Sequence, residues 1–197
     1  MRFTFYSSIL LLVLTACASE QATEGGTEAT PETTAFTPAA EALTAGKSAA
    51  EVGGMLLQAF PAVSDPSTGL VDAAAGKDYV KAATALADKY PGDTLAALPL
   101  YKAAEVARAM NDARRAATIY ERVYREFPTF SKAGESLFML AFTYDEDLDN
   151  IDKARTTYEE FIAKYPNHGF ADDAQMLIGN LGKTDEEVLR ELESRNQ

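Results

Sequence analysis

The sequence predicts an all-α fold, an α-solenoid of about three helix-turn-helix repeats closed by a C-terminal capping helix. Three observations carry that expectation. Apolar residues recur at helical spacing from Ser48 onward, and no stretch sustains the alternation of a strand. Three segments end alike, in Tyr90-Pro91, Phe127-Pro128 and Tyr165-Pro166, with the prolines 37 and 38 residues apart. A period of that size marks units that bury their apolar faces by stacking on one another.

Residues 1–16 have the layout of an export signal. Arg2 supplies a positive end, and Phe3 to Leu14 form a largely apolar run shorter than the roughly 20 residues of a membrane-spanning helix. The chain's one cysteine follows at once. Leu14-Thr15-Ala16-Cys17 resembles the lipobox of bacterial lipoproteins. The resemblance implies a diacylglyceryl group on the Cys17 thiol, cleavage before Cys17, and acylation (palmitate or similar) of the new amino terminus. Several acyl chains make an anchor stable at about 0.8 kcal/mol per buried methylene. Ala18, rather than an aspartate, implies the outer membrane by the same resemblance.

Residues 17–46 are expected to hold the lipidated cysteine and a disordered acidic linker. Thr, Ala, Glu, Gly and Pro dominate, Glu20, Glu24, Glu28 and Glu32 are evenly spaced, and no basic residue lies between Cys17 and Lys47. Few side chains there could offset the entropy of ordering. The helical domain is placed at 47–197.

Within it, Ser48 and Glu51 form a capping-box pair, and Val52, Met55, Leu56, Ala59 and Phe60 follow before Pro61 stops the helix. A turn-rich stretch from Ser64 to Gly69 comes next. Ala116, Tyr120 and Val123 reappear 38 residues on as Ala154, Tyr158 and Phe161; Ala96, Leu100 and Ala103 reappear 37 on as Ala133, Leu137 and Leu140. One residue is therefore inserted between the two helices of the later unit. Glu121 with Arg125 and Glu160 with Lys164 add pairs four apart on the polar faces. Thr184 and Glu187 form a second capping box, and Val188, Leu189 and Leu192 give the last helix the narrow apolar edge of a cap.

Leu100, Ala103, Ala104, Ala107, Ala116, Tyr120, Val123 and Pro128 resemble a tetratricopeptide repeat (TPR). So do Leu137, Leu140, Ala141, Tyr144, Ala154, Tyr158, Phe161 and Pro166. Tyr158 to Pro166 and Phe170 to Ala174 resemble in particular the small TPR lipoproteins of the Gram-negative envelope, of the BamD-like and YbgF-like kinds. The likeness covers residues 77–190. It implies a membrane-anchored scaffold for protein–protein interaction, in outer-membrane protein assembly or, alternatively, in Tol-Pal and cell-wall coordination. It also implies that first helices line a partner groove. By register the groove holds Tyr101, Lys102, Glu105 and Arg108, then Phe138, Met139, Phe142 and Asp145, then Met176, Leu177 and Asn180. For Phe138 and Phe142 the alternative, which the residues favour, is packing against a neighbouring helix or the linker. The Lys and Asn clamp with which some members hold a peptide carboxylate is absent, since Tyr101, Glu105, Phe138 and Phe142 occupy those positions.

Other chemistries find little footing. The net charge of -12 at pH 7 repels phosphate backbones, so no nucleic-acid partner is expected. Asp145 to Asp152 is acidic, but Asn150 and Thr156 stand where a calcium loop needs Gly and Glu. Asn150 or Asp152 is expected to cap a helix instead. His168 stands alone in a loop. No phosphate loop, nucleophile elbow or zinc spacing occurs, so no enzyme activity, metal or cofactor is expected. The expected partners are envelope proteins or peptides at the groove, and the membrane through the lipid.

Overall fold

The computed structural model describes residues 33–195. The export signal, Cys17 and the linker as far as Glu32 lie outside the described residues. Helices follow one another as α1 (Thr37–Thr44), α2 (Ala49–Ala59), α3 (Ala73–Lys89), α4 (Thr94–Ala109), α5 (Ala113–Glu126), α6 (Ala133–Phe142), α7 (Ile151–Lys164), α8 (Ala171–Asn180) and α9 (Asp185–Arg195). From α3 to α8 each helix packs on the next, as stacked helix pairs require. The described residues contain no strand, only an isolated bridge between Ser64 and Val71.

The repeat is visible in the backbone itself. Tyr90, Phe127 and Tyr165 end α3, α5 and α7 with φ of -125°, -126° and -128° and ψ of 64°, 57° and 54°. Each sits before a proline, which disfavours helical geometry there, and each amide donates back to the carbonyl four residues earlier. The second helices also start alike. Asn111 and Asp149 adopt positive φ, 60° and 48°, which Asn and Asp tolerate better than most residues. The next residues, Asp112 and Asn150, cap the first turns by accepting from Arg115 N and Lys153 N.

The inserted residue of the later unit is absorbed in one place. After Phe142 the chain widens into a turn of π-helix, Thr143–Asp147, before Asp149 resumes the earlier geometry. One extra residue in a helix produces this kind of bulge. Both capping boxes form: Ser48 with Glu51, and Thr184 with Glu187.

The core is a line of small and aromatic residues. Ala103, Ala104, Ala107, Ala116, Ala141 and Ala154 are buried, which lets backbones approach, and Tyr79, Tyr120, Tyr158, Phe127 and Phe161 fill the space between. Pro99 lies inside α4 and has no amide to offer the carbonyl of Leu95. That carbonyl meets Gly53 of α2 so closely that an added Cβ would stand 2.9 Å from it.

The domain boundary at Lys47 needs correction. Residues 37–44 form α1, Phe36 is 2% exposed, and Ala39 and Leu43 are also buried. The compact unit begins at Thr33. Phe36 meets Tyr79 edge to face at 5.3 Å, Lys89 donates to the carbonyl of Leu43, and Tyr90 donates to that of Lys47. A count of apolar residues in the segment alone missed this, because the surface that covers them comes from α2 and α3.

Candidate functional site

A groove of about 600 Å³ opens between α4 and α6, the first helices of consecutive pairs. Tyr101, Glu105, Arg108 and Ala109 of α4 form one wall; Glu135, Phe138 and Met139 of α6 form the other. Tyr120 of α5 reaches its floor, while Asn111, Asp147 and Phe170 close the ends. Helical spacing explains the walls: residues three and four apart share a face.

Hydrogen bonds tie one wall to the other. The Tyr101 hydroxyl donates to Glu135 at 2.7 Å, and Lys132 pairs with the same carboxylate at 2.6 Å while standing 5.0 Å over the Tyr101 ring. Arg108 reaches from α4 to Asp147 in a two-pronged ion pair, its guanidinium 4.8 Å from the centre of the Phe142 ring. Burial pushes the Tyr101 phenol well above its ordinary pKa, reinforced by the bond to Glu135 and the charge of Glu105. Burial does the same to Tyr120, with Glu105 adding to the effect and Arg108 opposing it. Both phenols are neutral at physiological pH. At Glu135 burial pushes the carboxyl up, but the bonds from Lys132 and Tyr101 outweigh it and leave a net downward shift.

The residues named from sequence separate into three groups. Tyr101, Glu105, Arg108, Phe138 and Met139 come together in this groove. Lys102 and Phe142 flank it: Lys102 stands 4.4 Å over Phe60 and 3.7 Å from Glu105, and Phe142 lies under Arg108. Asp145, Leu177 and Asn180 line a second hollow of about 360 Å³ with Glu146, Gly182, Lys183, Val188 and Leu189. Met176 is 60% exposed and lines neither hollow. The residues placed in one groove by register are therefore divided between two hollows. Phe138 is 8% exposed and stacks among Tyr158, Phe161 and Phe170, with ring centres 4.8 to 5.8 Å away, so most of it is core.

Sequence reasoning missed Glu135, Tyr120, Asp147 and Phe170. Glu135 was within reach, since it lies one turn before Phe138 and Met139 on the same face. Tyr120 was recognised as a recurring repeat position; it is buried, but its hydroxyl lies beside the charges of the groove. Asp147 arrives through the π-turn, which no periodicity marks. His168 is a loop residue packed edge to face on Phe161 at 5.2 Å. Among the described residues, no group of three or more His, Cys, Asp or Glu could hold a metal ion. No described helix is long and apolar enough to cross a membrane.

No curated protein matches the chain. The tetratricopeptide repeat family model matches residues 100–129 and 135–168. The matched stretches span α4 to α7, the pairs that build the groove. With stacked helix pairs and near-identical turns, they mark α4 to α7 as similar to tetratricopeptide repeats, which suggest a scaffold for protein–protein interaction.

Proposed function

We propose that this protein is a lipid-anchored TPR scaffold of the bacterial cell envelope, which holds a partner of outer-membrane protein assembly in the groove between α4 and α6. The observation that carries the interaction reading is the groove, lined by charged and aromatic side chains of α4 and α6, the first helices of consecutive pairs. Such a lining suits a peptide segment or a partner's side chains. Leu14-Thr15-Ala16-Cys17 supports the anchor, and the acidic residues that follow support a spacer between membrane and scaffold. Tethering would raise the scaffold's effective concentration toward membrane-bound partners.

Two measurements test this. Cells fed an alkyne fatty acid should label the wild type and not Cys17→Ser, and Cys17→Ser should leave the membrane fraction; equal labelling would overturn the anchor. A photo-crosslinking residue at Ala109 or Met139 should capture an outer-membrane assembly protein, whereas the same residue at Glu126, exposed on α5, should not. Capture of cell-wall enzymes instead would favour the coordination reading, and equal capture at Glu126 would overturn the groove.

A further inference from the structure

We propose that the centre of this groove receives one lysine or arginine side chain from a basic segment of the protein partner. The inference rests on the groove being the partner site.

Two of the protein's own cations, Arg108 in the groove and Lys132 beside it, are held in the same way. At one end the Arg108 guanidinium lies over Phe142 and pairs with Asp147. At the other the Lys132 ammonium lies over Tyr101 and pairs with Glu135. Each end combines an aromatic face with a carboxylate, which is what a desolvated cation needs. Between them stands Glu105, whose side chain is 43% exposed. Its nearest cation is Lys102, at a loose 3.7 Å and seated closely over Phe60.

Beneath the centre lies a second, independent observation. Tyr120 is fully buried, and its hydroxyl has no hydrogen-bond partner among the described residues. Leaving a buried hydroxyl unmet costs free energy. The charges that act on it belong to Glu105, Arg108, Glu135 and Asp147, all of which line the groove. It is closed to water in this structure, so a partner's side chain reaches it only by displacing the groove side chains that cover it. An ammonium or guanidinium entering there would meet Glu105 and donate to the Tyr120 oxygen.

Charge selects the occupant. Glu135 and Asp147 are closely paired with Lys132 and Arg108, which leaves Glu105, held only loosely by Lys102, as the carboxylate open to a partner, a setting that favours a cation over an anionic chain end. The protein's own acidic stretch from Glu20 to Glu32 is unsuited for the same reason. So is a second copy of a chain with net charge -12.

The test is fluorescence anisotropy on the full chain with three labelled nine-residue alanine peptides bearing arginine, glutamine or glutamate at the centre. The arginine peptide should bind about ten-fold tighter than the glutamine peptide, the worth of one charge-assisted contact, and the glutamate peptide most weakly. Glu105→Gln should remove that preference. Tyr120→Phe should weaken arginine binding about three-fold while the melting temperature stays level or rises, which a merely structural tyrosine would not do. Asp173→Asn, exposed on α8, should change nothing. Equal or absent binding of the three peptides, or equal losses from Asp173→Asn and Glu105→Gln, would overturn the proposal. If Glu105→Gln leaves photo-crosslinking through Met139 intact, the cation site falls and the groove stands. Loss of crosslinking from every groove position removes the groove reading itself.

Discussion

Tyr101 shows how one side chain can serve both packing and site. Its ring is 3% exposed and meets Tyr120 edge to face at 5.8 Å, while its hydroxyl joins α4 to α6 through Glu135. Tyr101→Phe keeps the packing and removes the bond, so urea denaturation should show a loss of about 1–2 kcal/mol. Phe138 behaves differently. Its ring is surrounded by other rings, so Phe138→Ala should cost about 3 kcal/mol by the same measurement. Phe138→Glu would strand a carboxylate in the core and is a poor probe of binding. Met176→Ala, at an exposed position, should stay within about 0.5 kcal/mol of wild type. Gly53→Ala sets a helix-propensity gain of about 1 kcal/mol against a Cβ forced onto the Leu95 carbonyl, a contact with backbone that cannot swing aside. The variant should melt below wild type.

At the scale of elements, caps and cross-helix bonds set the stability. Asn150 caps α7, and Asn150→Ala should cost about 1 kcal/mol in a denaturant titration. Hydrogen bonds from Lys164 and Tyr124 hold the Glu160 carboxyl below its ordinary value of 4.5. Glu135 is also held low. A carboxylate with a lower pKa in the folded state adds stability above its unfolded value and loses it as pH falls through the folded one. Urea midpoints should therefore drop as the medium is acidified below 4.5, and Glu160→Gln should flatten that drop. A midpoint independent of pH in that range would contradict the assignment. The caps, the i,i+4 pairs and the Tyr-Pro or Phe-Pro ends were legible in the sequence because each depends on residues within one or two turns. The π-turn was legible only as a one-residue excess; where it would be absorbed was not.

At the scale of the molecule, stability passes from neighbour to neighbour. Beyond the packed faces, the pairs are joined by Tyr101 to Glu135, Tyr124 to Glu160 and Arg122 to Asp88. α1 belongs to this stack, through Phe36 on Tyr79 and Lys89 on Leu43. A chain trimmed to begin at Lys47 should accordingly melt at a lower temperature than one beginning at Thr33, and Phe36→Ala should reproduce much of the loss, about 3 kcal/mol. Equal melting of the two trimmed chains would return residues 33–46 to the linker.

By itself the sequence determined the helical class, the period, the helix ends and which residues of α4 share a wall. All of these follow from the 3.6-residue turn and from contacts close along the chain. Tertiary structure decided what faces that wall. It brought Glu135 to Tyr101 and Asp147 to Arg108, set the Tyr120 hydroxyl beneath them, drew Phe138 into the core and folded residues 37–44 against α2 and α3. Those outcomes depend on how far helices tilt and slide when their side chains interlock, and that is a property of the packed faces together rather than of any segment alone.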